Sequence, residues 1–224
     1  MLKAIIFDVD GTLIDSNYLH AEAWQHAFRK YGYELPLDRL HHQVGKGGDN
    51  YVPHFLTPDD NEKFGKELDR CKTELFQRDF ASRIKAFPQV RELFQRIRDE
   101  GLRVAFATSS KGEELERYKE LLGVDELVNE ETSKDDARHS KPSPDIFAAA
   151  LRKLGLQASE AIAVGDTPYD AQACVKLKLP IVGLLCGGFP EQELREAGCF
   201  AIYRDPADLL ARFDESPLRV KKAA

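Results

Sequence analysis

The feature that most constrains the fold is a regular alternation of short apolar runs with amphipathic helical segments, which begins near residue 84. Residues 102–107, 161–164 and 181–185 are short apolar runs of the kind found in strands that are buried on both faces of a sheet. Helical patterns separate these runs. This order of elements predicts an α/β fold in which a parallel sheet carries helices on both faces.

A further apolar run, Ala4–Phe7, lies at the start of the chain and leads into Asp8 and Asp10. In doubly wound sheets, chemistry gathers where the chain leaves the carboxyl ends of the strands, so the two acids should lie together at the mouth of a cleft. Two close carboxylates repel each other unless a cation or a proton intervenes, and Mg²⁺ is the natural partner. The alternative is an Asp-Gly turn at Gly11 with an incidental second acid.

The alternation is interrupted directly after the first strand. From residue 16 to about residue 80 the pattern is helical, and Thr57 with Pro58 forms a good helix start. We therefore predict that residues 16–81 form an inserted α-helical cap domain over the cleft. Residues 1–15 together with 82–224 should form a doubly wound, Rossmann-like catalytic core.

Three later junctions between a strand and a helix carry polar residues. The hydroxyls and backbone N–H groups of residues 108–110 can hold phosphoryl oxygens, although Ser110 would also suit a helix N-cap. Lys141, stiffened by neighbouring prolines, can neutralise a phosphate or an aspartate, or can be an ordinary loop lysine. Asp166 and Asp170 are either acids of the same site or a helix cap and a first-turn acid.

The order of these segments resembles that of the haloacid dehalogenase (HAD) superfamily of phosphohydrolases. The family pattern is DxDGT, then Thr or Ser, then Lys, then GDxxxD, each after a strand, and this chain has all four parts in that order. The helical insertion resembles the small cap of the subfamily that contains phosphoglycolate phosphatases and β-phosphoglucomutases. The resemblance implies a Mg²⁺-dependent phosphatase that hydrolyses a small phosphomonoester, either phosphoglycolate or a sugar phosphate, through an aspartyl-phosphate intermediate.

The resemblance also implies roles for individual residues. Asp8 would be the nucleophile, and Asp10 would protonate the leaving oxygen and then activate water. Asp8, the backbone carbonyl of Asp10 and Asp166 would bind Mg²⁺, with Asp170 supporting its water shell. We expect a closed cap to raise the proton affinity of Asp10. The residues expected to hold the phosphoryl group or the rest of the substrate are Gly11, His20, Lys46, Lys72, Thr108, Ser109 and Lys141.

Three of these residues lie in the predicted cap, and each has a second interpretation. His20 either helps to control Asp10, as in β-phosphoglucomutase-like proteins, or is a histidine on a helix surface. Lys46, in a glycine-rich stretch, either reaches a substrate anion or is a solvated loop lysine. Lys72 either matches a cap lysine of the subfamily or is a solvated helix residue.

The resemblance implies a small phosphorylated metabolite as the partner, and composition disfavours two other kinds of partner. The net charge of −6 disfavours a nucleic-acid partner, and no apolar stretch is long enough to span a membrane. With no signal peptide, we expect a cytoplasmic monomer or homodimer. The cysteines lack paired spacing and are interpreted as reduced thiols rather than as a zinc site. They are Cys71, Cys174, Cys186 and Cys199.

Competing functions share much of this pattern. A phosphoglucomutase-like phosphotransferase would use every core residue and would differ only in the acceptor of the phosphoryl group. A dehalogenase is disfavoured, because that branch of the superfamily lacks an equivalent of Asp10 and needs no metal. A non-catalytic binding protein on the same fold would have no need of Asp8, Asp10, Lys141 and Asp166 together.

Overall fold

The computed structural model describes residues 1–110 and 112–220. Its strands are all short, with at most five residues each. They are β1 Ala4–Phe7, β2 Ile14–Asp15, β3 Lys85–Ala86, β4 Arg103–Ala107, β5 Glu130–Thr132, β6 Ala161–Gly165, β7 Ile181–Leu184 and β8 Ala201–Tyr203. The α-helices are α1 Asn17–Lys30, α2 Leu37–His41, α3 Gly48–Tyr51, α4 Pro58–Leu75, α5 Val90–Asp99, α6 Gly112–Leu122, α7 Asp145–Leu154, α8 Pro168–Leu177, α9 Glu191–Ala197 and α10 Pro206–Ala211.

Six of the strands form one parallel sheet in the order β5-β4-β1-β6-β7-β8. Successive residues of β1 point to opposite faces: Ile5 and Phe7 pack with α5, α6 and α10, whereas Ala4 and Ile6 pack with α7, α8 and α9. The predicted doubly wound α/β fold is confirmed. Because β1 lies between β4 and β6, the tips of these three strands meet at one edge of the sheet.

Helices α1 to α4 follow β1, and we call residues 16–81 the cap segment. The cap segment has a hydrophobic cluster of its own, in which Trp24 stacks on Tyr51 with ring centroids 4.3 Å apart. Thr57 caps α4 as predicted, because its hydroxyl accepts a hydrogen bond from the Asp60 N–H. The division into a cap domain and a core domain stays a prediction, and residues 221–224 of that core lie outside the described residues.

Other local predictions were wrong or incomplete. The sequence pattern also favours a short strand at residues 126–129, but the structure has a 3₁₀ turn, Asp125–Leu127, and the strand follows at β5. The Asn129 side chain accepts a hydrogen bond from the Val104 N–H, so regular pairing with β4 begins one residue later. The antiparallel pair β2–β3 and the helix α10 were not predicted. All four cysteines are free, and no helix within the described ranges is long and apolar enough to cross a membrane.

Candidate active site

Three buried carboxylates lie together at the tips of β1 and β6. Asp8 follows β1, Asp166 follows β6, and Asp170 lies in the first turn of α8. One oxygen atom from each of the three lies within 4.8 Å of the other two. The Lys141 ammonium lies 2.6 Å from an Asp8 oxygen and 2.7 Å from an Asp170 oxygen. The structure therefore brings together four residues from three separate parts of the sequence.

Polar neighbours fix the orientation of the acids. Asp166 accepts hydrogen bonds of 2.7 Å from both the Thr12 hydroxyl and the Asn17 side-chain amide. The Asp170 carboxylate accepts from the hydroxyl and the backbone N–H of Thr167, which is the N-cap of α8. Asp166 itself is therefore not the helix cap, and Asp170 both closes the capping box and pairs with Lys141.

The charge balance of this cluster favours a bound cation. Burial raises the pKa of Asp8 to about 7, although the attraction of Lys141 opposes the rise. Burial, together with repulsion from Asp170 and Asp8, also raises the pKa of Asp166 well above its usual value. Among the residues that the structure describes, these three buried carboxylates face the ammonium group of Lys141 alone, so a hard divalent cation with oxygen ligands would relieve the repulsion. The donor set therefore fits Mg²⁺.

Gly11 makes the tight turn between these strand-tip residues possible. Its φ of +74° lies in the left-handed region, which residues with a side chain rarely adopt. A Cβ atom at this position would lie 2.3 Å from the Asn17 amide nitrogen and 2.3 Å from an Asp166 oxygen. The missing side chain thus lets the turn approach Asp166 and Asn17 closely.

Asp10 lies beside this cluster and is surrounded by hydrogen-bond donors. One carboxylate oxygen lies 2.7 Å from the Ser16 hydroxyl and 3.1 Å from His20 Nε2, and the other lies 2.9 Å from the Ser110 hydroxyl. Burial opposes ionisation of Asp10, but these donors outweigh it and hold its pKa well below the usual range. The expected rise in the proton affinity of Asp10 on cap closure stays a prediction, and the hydrogen bonds in this structure act against it.

His20 and Lys72 extend this network into the cap segment. The Lys72 ammonium lies 3.0 Å from His20 Nδ1, and Phe76 stacks on the His20 ring at 3.9 Å between centroids. The His20 side chain is only 13% exposed. Burial is the main cause that lowers the pKa of both His20 and Lys72. Both residues therefore line the cleft beside Asp10 and do not lie on a solvated helix face.

The other predicted binding residues are placed less directly. The Thr108 hydroxyl is buried and accepts a hydrogen bond from the Ser110 N–H, while Ser109 lines the cleft. Lys46 also lines the cleft, but its ammonium donates to the Gln43 side chain and lies 4.5 Å from the centre of the Tyr169 ring. Lys46 would have to leave both contacts to reach a substrate.

Sequence reasoning gave no role to Thr12, Ser16 or Asn17, and it assigned Ser110 to phosphoryl binding or helix capping. Ser16 and Ser110 donate to Asp10, and Asn17 donates to Asp166. Ser16 and Ser110 each stand just before a helix, where serine is common as an N-cap. Their residue type and position therefore did not distinguish a helix cap from a donor to Asp10. Ser16 makes no capping hydrogen bond, because its hydroxyl is used by Asp10.

The cleft between the strand tips and the cap segment has a volume of about 1100 Å³. It extends from Asp8 and Asp10 along α4 and past the loop that precedes Lys141, where Lys134 and Arg138 line it. A cleft of this size exceeds what the phosphoryl group alone needs, so it leaves room for the rest of a substrate.

Comparison with known proteins identifies the family. The model of the haloacid dehalogenase-like hydrolase family matches residues 5–184, so the chain belongs to that family, and the predictions of the family and of a hydrolase are confirmed. A phosphoglycolate phosphatase from Nitrosospira multiformis is 32% identical over 181 residues, which are 77% of this chain and 78% of that protein.

Two further comparisons extend over nearly the whole chain. A phosphorylated carbohydrates phosphatase from Thermotoga maritima is 26% identical over 215 residues, covering 93% of this chain and 97% of that protein. The crystal structure of a hydrolase from Pseudomonas syringae superposes with a TM-score of 0.85 at 32% identity, covering 95% of this chain and 98% of that one. The fold of this chain is therefore that of known hydrolases over nearly its whole length.

Proposed function

We propose that this chain is a Mg²⁺-dependent phosphatase that hydrolyses a small phosphomonoester through an aspartyl-phosphate on Asp8. The observation that carries the proposal is the position of Asp8, buried at the tip of β1 and paired with Lys141, with Asp10 hydrogen-bonded to His20 beside it. A carboxylate held next to a cation and within reach of a proton carrier has the components of a nucleophilic phosphoryl-transfer site.

In the first half of the proposed reaction, Asp8 attacks phosphorus. A bond forms between an Asp8 oxygen and phosphorus, and the bond from phosphorus to the ester oxygen breaks. Asp10 gives the leaving oxygen its proton, with His20 Nε2 3.1 Å from its carboxylate. Asp10 must take up this proton beforehand, because the donors around it favour its ionised form. Lys141 neutralises charge on the transferring group, and the amide of Ser109 and the hydroxyl of Thr108 orient it.

In the second half, water attacks the aspartyl-phosphate. Asp10 accepts the proton of this water, and inorganic phosphate and free Asp8 result. The donors around Asp10 favour its ionised form, which suits this role as a base. Asp8, Asp166 and the Asp10 carbonyl would hold Mg²⁺, with Asp170 supporting its water shell. The ion would neutralise the phosphoryl oxygens.

We propose phosphoglycolate or a sugar phosphate as the substrate class. The names of the relatives from Nitrosospira multiformis and Thermotoga maritima support this choice. His20, Lys46 and Lys72 line the cleft and would contact the part of the substrate beyond the phosphoryl group. The cytoplasmic location and the monomeric or homodimeric state stay predictions from the sequence.

A panel of phosphate esters tests the proposal. The purified protein should release inorganic phosphate from an aryl phosphate and, faster, from phosphoglycolate or a sugar phosphate when Mg²⁺ is present. A chelator should abolish the release, added Mg²⁺ should restore it, and Ca²⁺ should inhibit because its coordination is larger and looser. Full activity in excess chelator would contradict the metal role. Conversion of a sugar phosphate to its isomer without phosphate release would favour the mutase.

A further inference from the structure

The loop that carries Lys141 is held by the cap segment as well as by the core. The Asn50 side-chain nitrogen lies 3.0 Å from the Ser140 hydroxyl oxygen, 3.2 Å from the Ser140 carbonyl oxygen and 3.4 Å from the Lys141 carbonyl oxygen. The Asp49 carboxylate accepts a hydrogen bond of 3.2 Å from the Ser140 N–H. Helix α3 therefore contacts the backbone of Lys141, the residue whose ammonium contacts Asp8.

Gly47 gives a second, independent sign that this contact is close. A Cβ atom on Gly47 would lie 2.6 Å from the Cβ atom of Ser140, a distance that real Cβ contacts do not show. The Gly47 φ of −74° is ordinary, so the backbone conformation would accept a side chain. The approach of Ser140, together with an Asp49 carboxylate oxygen that would lie 2.8 Å away, excludes one. The glycine-rich stretch is thus fitted to the Lys141 loop by shape as well as by hydrogen bonds.

We propose that Asn50 is a positioning residue that seats the cap segment on the Lys141 loop and thereby holds Lys141 in register with Asp8. The inference rests on the proposed function, in which Lys141 holds the phosphoryl group. Asn50 itself is exposed, so water can replace its hydrogen bonds when it is removed, and the fold does not depend on it. The orientation of the loop does depend on it, because Asn50 contacts the backbone carbonyl groups of Ser140 and Lys141, one on each side of the Lys141 Cα atom.

The test compares parent, Asn50→Ala, Asn50→Asp and Gly47→Ala, each loaded with Mg²⁺. The Kd of inorganic phosphate is measured by isothermal titration calorimetry, and kcat and KM are measured with an aryl phosphate. Asn50→Ala should weaken phosphate binding about 2- to 12-fold, as expected for losing one neutral hydrogen-bonding group. Asn50→Asp should weaken it more, because a carboxylate would face two carbonyl oxygens. Gly47→Ala should act in the same direction through its steric clash.

Asn61→Ala is the matched control. Asn61 lies in the same cap segment, and in the described part of the chain its side chain lies beside Gly65 of its own helix and makes no hydrogen bond to the Lys141 loop. It should leave phosphate affinity unchanged, and the thermal midpoint of Asn50→Ala should equal that of the parent. An unchanged Kd in Asn50→Ala, or an equal loss in Asn61→Ala, overturns the inference. A parent that binds phosphate without turnover contradicts only the proposed function.

Discussion

The acids of the candidate site are costly to bury, and the cost has a definite pH dependence. Asp8 has a folded-state pKa of about 7 against an ordinary value of 3.8, because burial disfavours its charged form. Between these two values the folded protein retains a proton that the unfolded chain releases. This group therefore contributes stability that is fully present below about pH 4 and is lost as the pH rises toward 7. Asp166 acts in the same direction.

We therefore predict that Asp8 and Asp166 make the metal-free protein less stable as the pH rises from about 5 to 7, and that His20, whose pKa is lowered by burial, contributes in the opposite direction. Each such carboxyl contributes a slope of at most about 1.4 kcal/mol per pH unit. Mg²⁺ should stabilise the protein more at pH 8 than at pH 5, because its ligands must be deprotonated to bind it. Chemical denaturation at several pH values, with Mg²⁺ and with chelator, measures both effects.

The substitution Asp8→Asn is the control for this pH dependence. The amide removes one buried charge, so the metal-free variant should be more stable than the parent at pH 8 and should show a shallower slope. A variant with the same slope as the parent would show that Asp8 is not the source of the dependence.

Some residues of the site could be predicted from their neighbours in the sequence, and others could not. Asp8, Asp166 and Lys141 could be predicted, because each stands at a strand end or directly before a proline in an ordered pattern. Asn17 could not, because its amide reaches Asp166 across 149 positions of sequence. The low pKa of Asp10 was also beyond prediction, since it depends on donors that only the fold brings together.

Among the elements, we assign the chemical step to the strand tips and substrate recognition to the segment that joins α2 to α4. In the proposed mechanism the strand tips contact only the phosphoryl group, which every phosphomonoester shares, so substrate discrimination would come from groups that reach the rest of the molecule. Lys46 precedes α3 and lines the cleft, with its ammonium held by Gln43 and Tyr169. Because burial lowers the pKa of Lys46, the bound anion of a substrate would favour its charged form.

We predict that Lys46→Ala lowers kcat/KM roughly 10- to 150-fold for a substrate with a second anionic group, because it removes a charge-assisted hydrogen bond worth about 1.5–3 kcal/mol. The loss should be much smaller for a neutral aryl phosphate. Lys63→Ala is the control, since Lys63 is 70% exposed on α4. Equal losses on both substrates would mean that Lys46 supports the loop or cap closure, and no loss would make it an ordinary loop lysine.

Elements with a clear sequence signal were predicted well, and those without one poorly. The helix starting at Pro58 carries a helical pattern, and the strands β4, β6 and β7 are continuous apolar runs with clear end signals. The two-residue strands β2 and β3 have no periodicity to detect, since each is too short and forms only by pairing with the other. The four-residue helix α3, in a stretch that read as a loop, is seated by its contact with Ser140.

At the scale of the whole molecule, hydrogen bonds join the cap segment to the rest of the chain on two sides of the cleft. Asn50 joins the cap segment to the Lys141 loop, and Gln77 joins it to Arg117 and Glu114 of α6. Between these contacts the cap carries His20 and its neighbours over the strand tips, where Asp8 lies buried. The central claim is that this enclosed carboxylate is the atom group to which the phosphoryl group is transferred.

The most direct test of that claim is to trap the phosphoryl group on Asp8. The parent is mixed with an aryl phosphate and Mg²⁺, quenched in acid, digested and examined by mass spectrometry. The peptide that contains Asp8 should carry one phosphoryl group, and Asp8→Asn should lack it while its turnover falls by several orders of magnitude, since an amide is a poor nucleophile. A folded Asp8→Asn variant with turnover within about tenfold of the parent would contradict the account.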